Sequence, residues 1–197
     1  MRATISLAVL CSAILLAAPA SAHSVGNSAV GFAAGFLHPL TGLDHMLAMV
    51  SVGIWGAQLG APALWLLPIA FPLVMAVGGA LGIVGVPLPG SEVLVALSVL
   101  VLGAFVVYGR PVPVGAALAI VGVFAIAHGH AHGAELPNAA DALAFTIGFV
   151  GATGLLHLAG IGIGLLGRFP SGAVAIRAFG LLIAVTGGYF LFQHAGA

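Results

Sequence analysis

From 63 to 85, and again from 113 to 133, the chain runs without a single Asp, Glu, Lys or Arg, and each run ends at a turn rich in Pro or Gly. A helix crosses the hydrocarbon of a bilayer with about 20 apolar residues, so runs of this length restrict the fold more than any other feature. Six of them follow one another, at 27–59, 63–85, 91–109, 113–133, 140–166 and 172–193. Between them stand "GAP" at 60–62, "VPLPG" at 86–90, "GRPVP" at 109–113, "ELPN" at 135–138 and "GRFPSG" at 167–172, all helix-stopping or turn chemistry. Charged side chains make up 4% of the 197 residues, whereas an ordinary soluble domain needs about 25%. The predicted fold is therefore all-α: a polytopic membrane protein built as a bundle of about six transmembrane helices.

The first 22 residues read as a cleavable secretory signal, with Arg2, the short apolar stretch "ISLAVLCSAILLAA", then Pro19 and the small-residue site "ASA". Cleavage after Ala22 makes His23 the mature N-terminus and leaves 23–197 as a single transmembrane domain. Cys11, the only cysteine, lies in the signal, so the mature chain has no disulfide and no thiolate ligand. The run 27–59 is too long for one straight span and is interrupted at His38-Pro39 and Thr41-Gly42. It is one broken crossing or a tight hairpin. A single crossing places Arg110, Arg168 and Arg177 in cytoplasmic connections, as the positive-inside rule prefers. The expected location is the bacterial inner membrane, with both mature termini periplasmic. A nucleic-acid partner is excluded by the absence of a basic patch, and the chain has no phosphate-cradling loop through which to use ATP.

An ionisable group at bilayer depth costs about 2.5–3.5 kcal/mol on insertion scales, which separates cheap charges from expensive ones. Glu92 and Asp141 follow turn residues and are expected to serve free amides and the dipole at helix starts. Gln58, Gln193 and His194 fall near span ends. Asp44 has no such excuse, because apolar sequence flanks "HPLTGLDHMLAM" on both sides. On a regular helix His38 and His45 share a face but lie about 10 Å apart along the axis. A break at Pro39 and Gly42 brings them closer and frees backbone carbonyls. In "AHGHAHGAE", 127–135, His128, His132 and Glu135 fall on one helical face, with His130 pointing elsewhere. In "TGLLHLAG", 153–160, His157 stands in register with His45 of "TGLDHMLA". Glycine spacings such as Gly31/Gly35 and Gly160/Gly164 favour close helix packing.

Imidazoles and carboxylates without thiolates suit nickel, cobalt or zinc and disfavour copper(I). Met46, Met49 and Met75 could supply thioether, but Met46 and Met49 sit beside the aspartate at helical spacing and are expected to pack. The H-x5-D-H of His38, Asp44 and His45, the H-G-x-A-H-G-x-E of His128, His132 and Glu135, and "AT-x-LLH" at 152–157 together resemble the HupE/UreJ family of bacterial nickel permeases. The resemblance covers essentially the whole chain. It departs at Ala127, where the family usually carries phenylalanine. It implies that His38, Asp44, His45, His128, His132, Glu135 and His157 are required for uptake of nickel or cobalt, destined for hydrogenase or urease maturation. The ion is then cargo and not a fixed cofactor, carried by secondary transport or channel-like passage, and the chain is not an enzyme. His23 and the outer histidines would capture the hydrated ion. A metallochaperone or a second copy of the chain stays open as a partner. Two other readings of the same residues are a membrane-embedded zinc hydrolase using His128, His132 and His157, with Asp44 or Glu135 activating the water, and a haem protein with paired axial histidines.

Overall fold

Glycines in the left-handed region set four of the helix boundaries. Gly60, Gly85, Gly90 and Gly109 have φ of 75°, 76°, 80° and 58°, a conformation that costs a side chain but not glycine. The computed structural model describes residues 31–135 and 139–195, with backbone alone at 135, 139–142 and 195. The expected signal at 1–22 and His23 lie outside the described residues. The helices are α1 (Phe32–Thr41), α2 (Leu43–Leu59), α3 (Ala63–Ile83), α4 (Ser91–Tyr108), α5 (Val114–Glu135), α6 (Ala139–Leu165) and α7 (Pro170–Ala195), with a 3-10 turn at Leu166–Arg168 between the last two. No strand occurs among the described residues. Helices α3 to α7 supply five segments long and apolar enough to cross a membrane.

The expected break in the first run is real, but it falls at Gly42 alone. Pro39 lies inside α1, where it removes only the hydrogen bond to the Gly35 carbonyl. Gly42 adopts φ −83° and ψ 111°, an extended conformation that ends one helix and starts the next. The His38 carbonyl at this corner accepts both the Gly42 N–H at 3.2 Å and the Thr41 hydroxyl at 3.0 Å. Gly35 packs on Phe145, Gly160 on Val50 and Gly164 on Ile54, and the offset along the chain is the same in all three. Helices α1 and α2 therefore run in one direction beside α6, as a broken line rather than a hairpin.

Every residue of α2 from Leu47 to Gly56 is buried. A helix that is apolar all round belongs in the middle of a bundle, and α2 is enclosed by α3, α4 and α6. Helix α3 pairs with α5 and α4 with α7 through glycines. A Cβ on Gly78, Gly82, Gly129 or Gly133 would run into the backbone of the facing helix, as would one on Gly103 or Gly187 in the other pair. Of the two glycine pairs expected from spacing, Gly160/Gly164 lies at such an interface, whereas a Cβ on Gly31 would meet nothing within 4 Å among the described residues. Arg110, Arg168 and Arg177 gather at one end of the bundle, with the Arg177 guanidinium beside Gly109. Helix α4 starts without a side-chain cap, so Glu92 contributes only its charge to the first turn. The Asp141 side chain lies outside the described residues.

Candidate functional site

The corner at Gly42 creates a helix N-terminus within the bundle. Such an end carries free N–H groups and roughly half a positive charge, which is what an aspartate at this depth requires. Asp44 occupies the first turn of α2. Its Oδ1 accepts the His45 backbone N–H at 2.8 Å and the His45 ring Nδ1–H at 2.7 Å. The carboxylate thus fixes the His45 tautomer and leaves the lone pair on Nε2.

Four imidazoles from three helices meet beside this pair. His38 of α1 and His132 of α5 lie 4.4 Å apart between ring centroids, His132 and His45 4.3 Å, and His45 and His128 5.0 Å. His38 and His45 are 6.2 Å apart, so the break has brought together rings that an unbroken helix would separate. Phe149 closes the group, 4.7 Å from His132 and 5.8 Å from His38. His128 is fully buried and donates from Nδ1 to its own helix, at the Phe124 carbonyl, 2.9 Å away. His130 turns away and donates from Nε2 to the Val86 carbonyl at 2.6 Å, a structural role that matches its expected direction.

His157 of α6 is not part of this group. The Phe71 ring contacts both it and His128, 5.5 Å from His128 and 5.4 Å from His157. His157 is anchored by α3. Pro72 has no N–H to give the Pro68 carbonyl, and His157 Nδ1–H takes the vacant place at 3.1 Å. Among the described residues, the Nε2 atoms of His128 and His157, both ring nitrogens of His132 and the Thr153 hydroxyl are buried without a hydrogen-bond partner. Leaving such a group unsatisfied costs about 1–3 kcal/mol each. With Nδ1 committed as a donor, the Nε2 atoms of His128 and His157 offer lone pairs, which only a proton donor or a cation can satisfy. Among the described residues no three His, Asp or Glu side chains converge as a ready-made chelate; the imidazoles meet pairwise, with His38, His132 and His45 at the corners of a triangle and His128 beside His45.

Of the residues singled out in the sequence, the structure thus brings together His38, Asp44, His45, His128 and His132, and sets His157 behind Phe71. The backbone of Glu135 ends α5, three residues beyond His132, and its side chain lies outside the described residues. The same separation leaves His128, His132 and His157 without a common centre of the kind a zinc hydrolase needs. Met49 is fully buried in the core, as expected of a packing residue. Sequence reasoning passed over Phe71, Phe149 and Thr153. The signal available for Phe71 was the pair of prolines, Pro68 and Pro72, around it in mid-span; Phe149 and Thr153 had none beyond proximity to motifs.

Gly42 has a second use besides the break. A Cβ there would lie 3.0 Å from His45 Nδ1 and 3.2 Å from Asp44 Oδ1, closer than side chains normally pack. Gly42→Ala is therefore expected to leave the bundle folded while displacing the Asp44–His45 pair, weakening any function of that pair about fivefold, the effect of roughly 1 kcal/mol. Comparing metal uptake at matched protein levels checks this, and wild-type uptake in the variant would show that the crowding is absorbed elsewhere.

A family model described as "HupE / UreJ protein" matches residues 10–190. Over 177 residues, 89% of this chain and 93% of the relative, the sequence is 45% identical to "Protein HupE" of Rhizobium leguminosarum bv. viciae. No solved structure matches the chain.

Proposed function

The chain belongs to the HupE/UreJ family, and on that premise we propose that it is an inner-membrane permease for a divalent transition-metal ion, nickel or cobalt. The observation that carries this reading is the meeting of His38, His45, His128 and His132 in the bundle, with Asp44 as the anionic anchor. Borderline ions such as nickel accept imidazole nitrogen readily, and a membrane interior tolerates such donors where a passing ion uses them. His38, His45, His128 and His132 replace the ion's water in steps, Asp44 offsets its charge, Glu135 at the end of α5 attracts it, and His157 receives it. Ligands shared pairwise let an ion enter and also leave.

The ion moves from the histidine end of the bundle towards the arginine end, which we place in the cytoplasm, with both termini periplasmic. A dication moving inward gains about 4–5 kcal/mol per 100 mV of membrane potential, so passage needs no nucleotide hydrolysis by this chain. The delivered ion serves a metalloenzyme such as a hydrogenase or urease.

Cells expressing the full chain are expected to accumulate radioactive nickel or cobalt above cells with an empty vector. Equal accumulation of both ions in the two sets of cells sinks the reading. Protein purified in detergent is expected to lose its ion on dialysis. Zinc retained stoichiometrically through dialysis would instead favour the hydrolase.

A further inference from the structure

From the His38 end inward the rings follow one another as His38, His132, His45 and His128, none more than 5.0 Å from the next between centroids. The next ring is not an imidazole. Phe71, with no exposed surface, packs against both His128 and His157, and both imidazoles meet it edge-on, at interplanar angles of 68° and 81°. A phenyl ring has no lone pair to exchange for water on a metal ion. Its face offers a cation only about 0.5–2 kcal/mol, far less than an imidazole bond to the metal. The ring contacts therefore pass from the four imidazoles to His157 by way of this residue.

Phe71 is also mounted on a weakened turn. Pro68 and Pro72 remove the helical hydrogen bonds to the carbonyls of Leu64 and Pro68. The Pro68 carbonyl is held instead by His157, the residue on the far side of the ring. Movement of this turn and rearrangement of His157 are thus mechanically joined.

We propose that Phe71 is the flux-determining barrier of the path. It separates an outer station of His38, His45, His128 and His132 from an inner station at His157, and its displacement admits the ion from one to the other. This inference rests on the metal-permease reading. Hydrophobic constrictions act in this way by excluding water and ions until they open. A phenylalanine that merely filled the core would, on truncation, loosen the fold without speeding transport.

The test uses the full chain in vesicles of phosphatidylethanolamine and phosphatidylglycerol, loaded with a nickel-responsive dye, with nickel chloride added outside. Phe71→Ala is expected to raise the initial rate of nickel entry about tenfold, the result of lowering a barrier by about 1.4 kcal/mol. Phe71→Trp is expected to lower the rate, also by about tenfold, as a larger ring obstructs the same gap. Nickel binding by the detergent-solubilised protein should be the same in both variants as in the wild type, because Phe71 supplies no ligand to the outer station. Wild-type rates in both variants, or slower entry through Phe71→Ala with binding intact, overturn the proposal. Should Phe71→Ala not give a monodisperse protein, Phe71→Leu replaces it with the same expected direction. A wild-type protein that binds nickel yet passes none overturns the permease reading together with this one, and that outcome is distinguished by the wild-type trace alone.

Discussion

Replacing Asp44 by asparagine is expected to reduce nickel or cobalt uptake a hundredfold or more at equal expression. Asparagine keeps the shape of aspartate, and its carbonyl oxygen can still accept the His45 N–H and the ring Nδ1–H now held at 2.8 and 2.7 Å, so the corner at Gly42 should survive. What disappears is the negative charge. Two unit charges about 4 Å apart interact by about 4 kcal/mol at an effective dielectric constant near 20, and each 1.4 kcal/mol is about tenfold in affinity. Even half of that energy accounts for more than a factor of ten, and a dication feels the charge twice over. Uptake of the labelled ion by cells producing equal amounts of wild type and Asp44→Asn measures the effect. Unchanged accumulation would remove Asp44 from the path.

Gly129→Val is expected to prevent assembly of the bundle. A Cβ at Gly129 would run into the Met75 carbonyl, and one at Gly133 into that of Gly79, so the two helices meet backbone to backbone with no flexible side chain to yield. Overpacking a core that can adjust costs about 1–3 kcal/mol, and more where it cannot. Gly122 on the same helix has nothing within 4 Å, and Gly122→Val serves as the control. Size-exclusion profiles in detergent should show loss of the monodisperse peak for Gly129→Val and its retention for Gly122→Val. Equal profiles would mean that α3 and α5 can separate at little cost. The glycines of "HGHAHG" are thus a packing requirement: Gly129 and Gly133 face α3, which positions His128 and His132 towards α2.

Much of this arrangement is legible in the sequence because bilayer thickness makes a long apolar run nearly synonymous with a helix. The corner near Gly42, the shared face of His128 and His132 and the departure of His130 from it all follow from spacing and backbone chemistry. Other features leave no such mark. Pro39 and Gly42 look equally disruptive as letters, yet only the glycine adopts an extended conformation. His157 has the same local context as His45, but its ring meets a residue on a third helix, Phe71, where that of His45 meets other imidazoles. The depth of α2 is likewise invisible, since an apolar helix facing lipid and one facing other helices have similar compositions.

The shared course of α1 and α2 along α6 bears on how the chain is made. Gly35 finds its neighbour at Phe145 and Val50 finds its own at Gly160, about a hundred residues later. At synthesis rates of roughly 5–20 residues per second, the segment bearing His38, Asp44 and His45 waits on the order of ten seconds at the ribosome exit and insertion machinery before its seat exists. During that interval its polar groups must be held by water, lipid headgroups or the insertion machinery, so the cluster of imidazoles is completed only once the C-terminal half has been made.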